Sequence, residues 1–379
     1  MIRSKSLLKY IPTLIFFIFL IFNKQIAHIF NNPKTIYIYY LITPFIFTFG
    51  LIPVFNKIAL IFNIVDKPGG RHIHDHPTPK TGGIVVLIVF IAATNLIRNL
   101  PYEFNGIFLG TMIIGFSGIF DDVKGLPAWL KLILQLLASS IVIYYGVSFS
   151  FLPENIFFRI IEILLTILWI VAITNAINFL DGIDGLASGI GIITSVFFAI
   201  IAYLGGDIFM YLLSLIFAST LLGFFIYNFR PGKNALTFLG DTGSNLIGFF
   251  LAIISIYGTW GNGKIIDMII PLLILALPIS DLIITNLDRI VKKKVNGFRN
   301  ILSYTGTDHI HHRVMKMGLS KTSSVIILLA LNATLGLITI LIYQGNLLEG
   351  IIAIITSINI IFIFNYLISI SNPNKKVLQ

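Results

Sequence analysis

Apolar stretches of roughly twenty residues follow one another almost without a break through this chain of 379 residues. A helix needs about 20 predominantly apolar residues to cross the hydrocarbon core of a bilayer. Inside lipid every backbone polar group must be satisfied within the chain, a condition that helical spans meet. The sequence therefore predicts an all-α, polytopic integral membrane protein with about eleven or twelve transmembrane helices. Candidate spans run near 8–30, 37–62, 82–99, 106–120, 129–148, 156–177, 187–204, 208–228, 244–260, 265–289, 323–343 and 348–370. With 56% hydrophobic and 11% charged residues, no polar segment is long enough for a separate soluble domain. Residues 1–36 read as a signal-anchor-like span, 37–370 as one polytopic domain and 371–379 as a short cytoplasmic tail. There is no cysteine, which excludes disulfides, thiolate metal sites and a cysteine nucleophile.

Five polar islands interrupt the apolar sequence, at 66–83, 121–122, 175–185, 228–244 and 308–313. When all five are placed on one side, the loops on that side carry 20 of the 26 lysines and arginines, against 5 on the other. Cytoplasmic loops are the cation-rich ones, so the islands are expected at the cytoplasmic face of the cell inner (plasma) membrane. The same count explains the net charge of +10, as cations facing anionic headgroups and phosphate substrates. Nucleic acid is a poor partner, because the basic residues lie in membrane loops rather than on a soluble module. Ionisable residues beside apolar spans are costly, and their collection on one face points to catalysis.

Each island has a functional and an ordinary reading. The adjacent Asp121 and Asp122 suit proton abstraction or a cation held near phosphate. They equally suit a span boundary, with Asp122 helping to start the next helix. Lys131 is a phosphate contact or a snorkelling lysine of the inner leaflet. Asn175 and Asn178 share a helix face, Gly182 and Gly185 permit close approach of the backbone, and Asp181 and Asp184 add carboxylates. Such oxygens suit a hard cation such as Mg2+, while the ordinary reading is an Asp- and Gly-rich turn. Asp241, in a glycine turn that opens a helix, could complete a metal site with Asn178; alternatively Asp241 or Thr242 is a helix cap. His309, His311, His312 and Arg313 lack the i, i+4 spacing of helical zinc pairs and fit a phosphate- and sugar-contacting patch, or a solvated loop. The first loop, with Arg71 and His72, reads as a rigid guide for anions. Asp207, Asp267, Asp281 and Asp288 read as structural, and the run Lys292 to Lys294 as a solvated basic loop.

Taken in order, DxPxxRxxH from Asp66, GIFDDVKGLP, NAINFLDGIDGLASG, NFRP, FLGDTGS and HIHHR resemble the polyprenyl-phosphate N-acetylhexosamine-1-phosphate transferases over about residues 40–345. The resemblance implies transfer of a sugar 1-phosphate from a UDP-N-acetylhexosamine to undecaprenyl phosphate, with Mg2+, release of UMP and initiation of a cell-envelope polysaccharide. It implies that Asp121 and Asp122 act near the lipid phosphate, that Asn178 and Asp241 hold Mg2+, and that Lys131 contacts phosphate. Gly182, Asp184, Asn228 and Phe238, with Asp181 beside them, would shape the nucleotide pocket, and the histidine–arginine motif would face the diphosphate and sugar. Partners implied are the two substrates and membrane lipid, with a second copy of the chain a candidate. Both substrates are anions, and each like-charge pair at 4 Å costs about 4 kcal/mol at an effective dielectric near 20. Mg2+, Lys131, Arg313 and the histidines would offset that repulsion.

The His-Ile-His-His run resembles the branch that uses UDP-GlcNAc and starts lipopolysaccharide, teichoic acid or other wall polymers. The branch that uses UDP-MurNAc-pentapeptide carries three consecutive histidines. A transporter would place charges near the bilayer midplane within inverted repeats, and neither is seen. An intramembrane aspartyl protease would need its two aspartates within spans, whereas Asp121 and Asp241 stand at loop junctions.

Overall fold

The computed structural model describes residues 11–22, 25–26, 29, 35–66, 77–258, 260–261, 264–292, 306 and 308–371. The first-loop residues Arg71 and His72, and the basic run past Lys292, lie outside the described residues. The described chain is almost wholly helical. Its helices are α1 (Ile11–Ile21), α2 (Ile36–Ile61), α3 (Gly82–Thr94), α4 (Phe104–Lys124), α5 (Ala128–Tyr144), α6 (Ile156–Leu180) and α7 (Leu186–Gly205). They continue with α8 (Ile208–Asn228), α9 (Gly240–Tyr257), α10 (Lys264–Ile274), α11 (Ala276–Val291), α12 (Ile310–Met315), α13 (Lys321–Ile342) and α14 (Leu347–Ile370). Each of the twelve apolar stretches contains a helix among its described residues. Among the described residues seven helices are long and apolar enough to cross a membrane, or eight if the bent pair α10–α11 is one span. The helices α3 and α5 are shorter apolar ones. This is a multi-pass, all-α membrane protein.

The stretch 265–289 is not one straight helix. Its axis turns by 72° between α10 and α11. Pro278 supplies the cause: it has no N–H to give to the Ile274 carbonyl, and its ring crowds that carbonyl. Asp207 caps α8, its carboxylate accepting the Met210 N–H at 3.0 Å.

Helix α9 runs through the centre, packed on α3, α4, α6 and α7, and nearly all of its residues from Thr242 to Ser255 are buried. Small residues make this possible. A methyl group at Gly83 of α3 would collide with the backbone of Gly243, and one at Gly118 of α4 with the backbone of Thr242. Without a hydrophobic force between helices in lipid, such close backbone approach is what drives their association. By contrast, α6 and α14 turn much of their surface outward.

Two distant loops are joined by backbone at the start of α9. Strands β1 (Val65–Asp66) and β2 (Thr78–Pro79) pair antiparallel, with Asp66 opposite Thr78. The Phe238 N–H donates to the Pro79 carbonyl at 2.8 Å, and Gly82 and Gly83 donate back to the Phe238 and Leu239 carbonyls at 3.1 and 2.9 Å. The first and fourth islands thereby form one surface.

Candidate active site

The neighbouring aspartates at the end of α4 face different ways. The Asp122 Oδ1 accepts the N–H of Asp241 at 2.9 Å, while Oδ2 accepts the N–H of Thr242 at 2.9 Å and its hydroxyl at 2.7 Å. A carboxylate here satisfies the free N–H groups at the start of α9 and meets the positive end of its dipole. This corrects both capping readings. Pro127, not Asp122, precedes α5, and α9 is capped by a side chain from α4 rather than by its own Asp241 or Thr242. Gly240, at φ +71, makes room: a Cβ there would lie 2.6 Å from the Asp122 carboxylate.

Asp121 points to the other side. Its Oδ1 accepts the Leu126 N–H at 2.7 Å, which pins the turn before α5, and its Oδ2 is ion-paired with Lys131. The Lys131 ammonium also lies 3.6 Å from the Asp241 Oδ2, so one cation bridges α5, α4 and α9. Asn178, at the end of α6, donates through Nδ2 to Asp241 Oδ1 and to the Ser244 hydroxyl, both at 2.8 Å. Its neighbour Asn175 donates to Gln135 at 2.9 Å. The Asp241 side chain is 35% exposed and that of Asp121 6%, so Asp241 is the carboxylate of this trio open to a ligand.

Every island contributes to one pocket of about 300 Å³. Its wall includes Asp66 and Lys80 from the first, Asp122 from the second, Asn178, Asp181, Gly182 and Asp184 from the third, Asn228, Phe238 and Asp241 from the fourth, and His312 from the fifth. Asp121 and Lys131 line a separate small recess behind it, with Ser117, Gln135 and Asn245. Asn228 is occupied by the protein: Oδ1 accepts from the Gly185 N–H at 2.7 Å and the Ser188 hydroxyl at 3.1 Å, and Nδ2 donates to the Thr237 carbonyl at 3.1 Å. It shapes the pocket by joining α7 to α8. Burial, and then the nearby charges of Asp241, Asp184 and Asp122, push the Asp181 carboxyl well above the usual carboxylate range.

The histidine motif is divided. His312 stands in the pocket wall, whereas His309 and His311 are buried beside it. The His309 Nδ1 faces the Asp281 Oδ2 at 2.8 Å and its ring stacks on Phe179, with centroids 5.0 Å apart. His311 lies against Gly182, where any side chain would overlap its ring. Among the described residues neither ring nitrogen of His311 has a hydrogen-bond partner. The Arg313 guanidinium is 3.7 Å from Asp281 and does not line the pocket.

The glycosyl transferase family 4 model matches residues 104–259. A probable undecaprenyl-phosphate N-acetylglucosaminyl 1-phosphate transferase of Bacillus subtilis (strain 168) is 36% identical over 283 residues, covering 73% of this chain and 76% of that protein. The chain belongs to this family. A decaprenyl-phosphate N-acetylglucosaminephosphotransferase of Mycolicibacterium smegmatis is 30% identical over 304 residues, covering 72% and 73%. A phospho-N-acetylmuramoyl-pentapeptide-transferase of Clostridium botulinum (strain Eklund 17B / Type B) is 34% identical over 221 residues, covering 54% and 67%. The protein is thus a polyprenyl-phosphate hexosamine-1-phosphate transferase.

Sequence reasoning missed several residues of the transferase. Lys80, Lys321 and Met315 line the pocket, and Asp281 and Arg289 hold the histidine motif, each 1% exposed. Asp281 carries a signal, because an acid within an apolar span marks a function by default, and the structure gives it a role beyond the structural one read from sequence.

The transferase should lose stability in acid through His311. Burial, reinforced by His312, lowers this imidazole to about 3. Folded and unfolded states are both neutral there above pH 6.5, and below it only the unfolded chain takes up the proton. Stability therefore falls by about 1.4 kcal/mol per pH unit between roughly 6.5 and 3. Thermal unfolding in detergent across pH 7 to 4.5 checks this, with a shallower fall in His311→Gln; parallel slopes would refute it.

Proposed function

We propose that the protein transfers N-acetylglucosamine 1-phosphate from UDP-GlcNAc to undecaprenyl phosphate at the cytoplasmic face of the inner membrane. UMP leaves, and the lipid-linked sugar starts a cell-envelope polysaccharide such as teichoic acid or lipopolysaccharide. The observation that carries this reading is the meeting of all five islands in one pocket, with Asp241 open to it and linked through Lys131 to Asp121. The likeness to a probable undecaprenyl-phosphate N-acetylglucosaminyl 1-phosphate transferase of Bacillus subtilis favours this acceptor and sugar.

An oxygen of the lipid phosphate attacks the sugar-bearing phosphorus of the donor. The bond from that phosphorus to the bridging oxygen breaks, and UMP departs with the electron pair. A phosphate monoester is already largely ionised, so placement and neutralisation matter more than a covalent carrier. Lys131 steadies the incoming phosphate from its recess with Asp121. Phe238 offers an apolar face to the base, and His312 stands where the diphosphate and sugar lie.

A divalent cation fits this donor set. Asp66, Asp122, Asp184 and Asp241 line the pocket beside the raised Asp181 and against Lys80 and Lys321, a wall that would repel a diphosphate. Among the described residues no three acidic or histidine groups converge on one point. Mg2+ needs no such cage, because it binds through one or two carboxylates plus substrate phosphates. Asp241, oriented by Asn178, is the residue to hold it, and the ion would supply neutralisation of the phosphate oxygens.

Membranes containing the protein, undecaprenyl phosphate and Mg2+, offered a panel of UDP-N-acetylhexosamines, test the reading by UMP release and mass spectrometry of the lipid product. Turnover with UDP-GlcNAc, abolished by chelation, is expected. Turnover with UDP-MurNAc-pentapeptide alone would move the protein to the other branch, and no turnover with any donor would withdraw the reaction.

A further inference from the structure

The histidine motif is held by side chains that lie outside it. Asp281, on α11, uses its Oδ2 for the His309 Nδ1 at 2.8 Å and its Oδ1 for the Ile310 N–H at 2.7 Å. On its own helix it also accepts the Thr285 hydroxyl at 3.2 Å. Arg289, two turns further along α11, donates from Nε and Nη2 to both oxygens of Asp308, at 3.0 and 2.8 Å. The same Nη2 lies 3.2 Å from the His309 Nε2. Residues 308, 309 and 310 are therefore each gripped by α11.

The network also occupies His309. With Nδ1 facing a carboxylate and Nε2 facing a guanidinium, both ring nitrogens are engaged by the protein and none is left for a substrate. Its face is covered by Phe179, one residue beyond Asn178. Helix α12 has six residues, too few to hold its own shape in isolation. Its direction is set from outside, and that direction decides where His312 and Met315 stand in the pocket wall.

We propose that Asp281 is a positioning residue for transfer: acting through His309 and the first turn of α12, it places His312 in the wall of the donor pocket. The proposal rests on the reading of that pocket as the nucleotide-sugar site. His309 is then a strut, and its essential atom is the Nδ1–H.

Asp281→Asn, His309→Ala and His309→Asn separate this from a general structural or a catalytic role. Asparagine at 309 can put an N–H donor near the position of Nδ1–H but has no imidazole. Loss of positioning by about 1 Å costs about 100-fold, so Asp281→Asn and His309→Ala should lower kcat/KM for the UDP-sugar by that much. The KM for polyprenyl phosphate should stay within about twofold, because Lys131 and Asp121, proposed to meet the acceptor, share no partner with this clamp. His309→Asn should recover most of the loss. Equal inactivity of His309→Asn and His309→Ala would overturn the proposal, as would full donor kcat/KM in Asp281→Asn.

A second readout needs no turnover. Acylation of histidines by diethyl pyrocarbonate, followed by mass spectrometry, should be slow at His309 and His311 in the unsubstituted protein. It should be about tenfold faster in Asp281→Asn as the motif opens. Unchanged labelling would overturn the clamp, whereas changed labelling in a protein that turns over no donor would sink only the transferase reading. If Asp281→Asn does not accumulate in membranes, the His309 pair carries both measurements.

Discussion

Asp241→Asn is expected to lower sugar-phosphate transfer by at least about 10³-fold in a protein that still folds. The substitution leaves the local structure in place. Asp122 holds the start of α9 through backbone N–H groups and the Thr242 hydroxyl, none of which involves the Asp241 carboxyl. An asparagine at 241 can still accept from the Asn178 amide through one oxygen. Lys131 keeps its pairing with Asp121. What disappears is the charge of Asp241, which unlike Asp121 and Lys131 lines the pocket, and with it the proposed grip on a divalent cation. Initial rates of UMP release from detergent-purified protein measure the loss, alongside a melting curve that should match the parent. A fall of less than about tenfold would mean that the decisive charge lies elsewhere among the pocket's aspartates.

Asp122→Ala should act in the opposite manner, through the fold. Two N–H groups and a hydroxyl lose their acceptor at once, and the start of α9 loses the charge that faces its dipole. Caps of this kind contribute about 0.5–2 kcal/mol, and hydrogen bonds to charged groups about 1.5–3. A total of about 2–4 kcal/mol is expected, together with complete loss of turnover, because α9 carries Asp241. Asp122→Asn, which retains one good acceptor, should lie between. Thermal unfolding and membrane yield decide it: a variant as stable as the parent yet inactive would show that Asp122 serves chemistry and not the cap.

The helices were legible in the sequence because lipid imposes one solution on long apolar runs, and the alternation of those runs put the five islands on one face. What escaped was nonlocal. Nothing near Asp122 in sequence tells that its partners are the amides of Asp241 and Thr242, 119 and 120 residues away. The bend between α10 and α11 was visible as Pro278, but the apolar run continued through it and concealed the break. Asp281 stands alone in the sequence, and its partners His309 and Ile310 lie 28 and 29 residues further on. His309, His311 and His312 look alike as letters. Only packing divides them into a strut, a buried ring against Gly182 and a residue of the pocket wall.

The seam between β2 and the segment before α9 also dictates when this enzyme can come into being. The Thr237 hydroxyl donates to the Pro79 carbonyl across 158 residues, beside the backbone bonds that join the two loops. At about 5–20 residues per second, a ribosome needs roughly 8–30 s to make the second half of that seam after the first. During that interval helices α3 to α8 are made, with Asp122 already in place and its partners, the N–H groups of Asp241 and Thr242, still to come. Translation halted before residue 309 leaves an inserted fragment with most of the carboxylates and none of the histidine motif, a fragment expected to be catalytically silent.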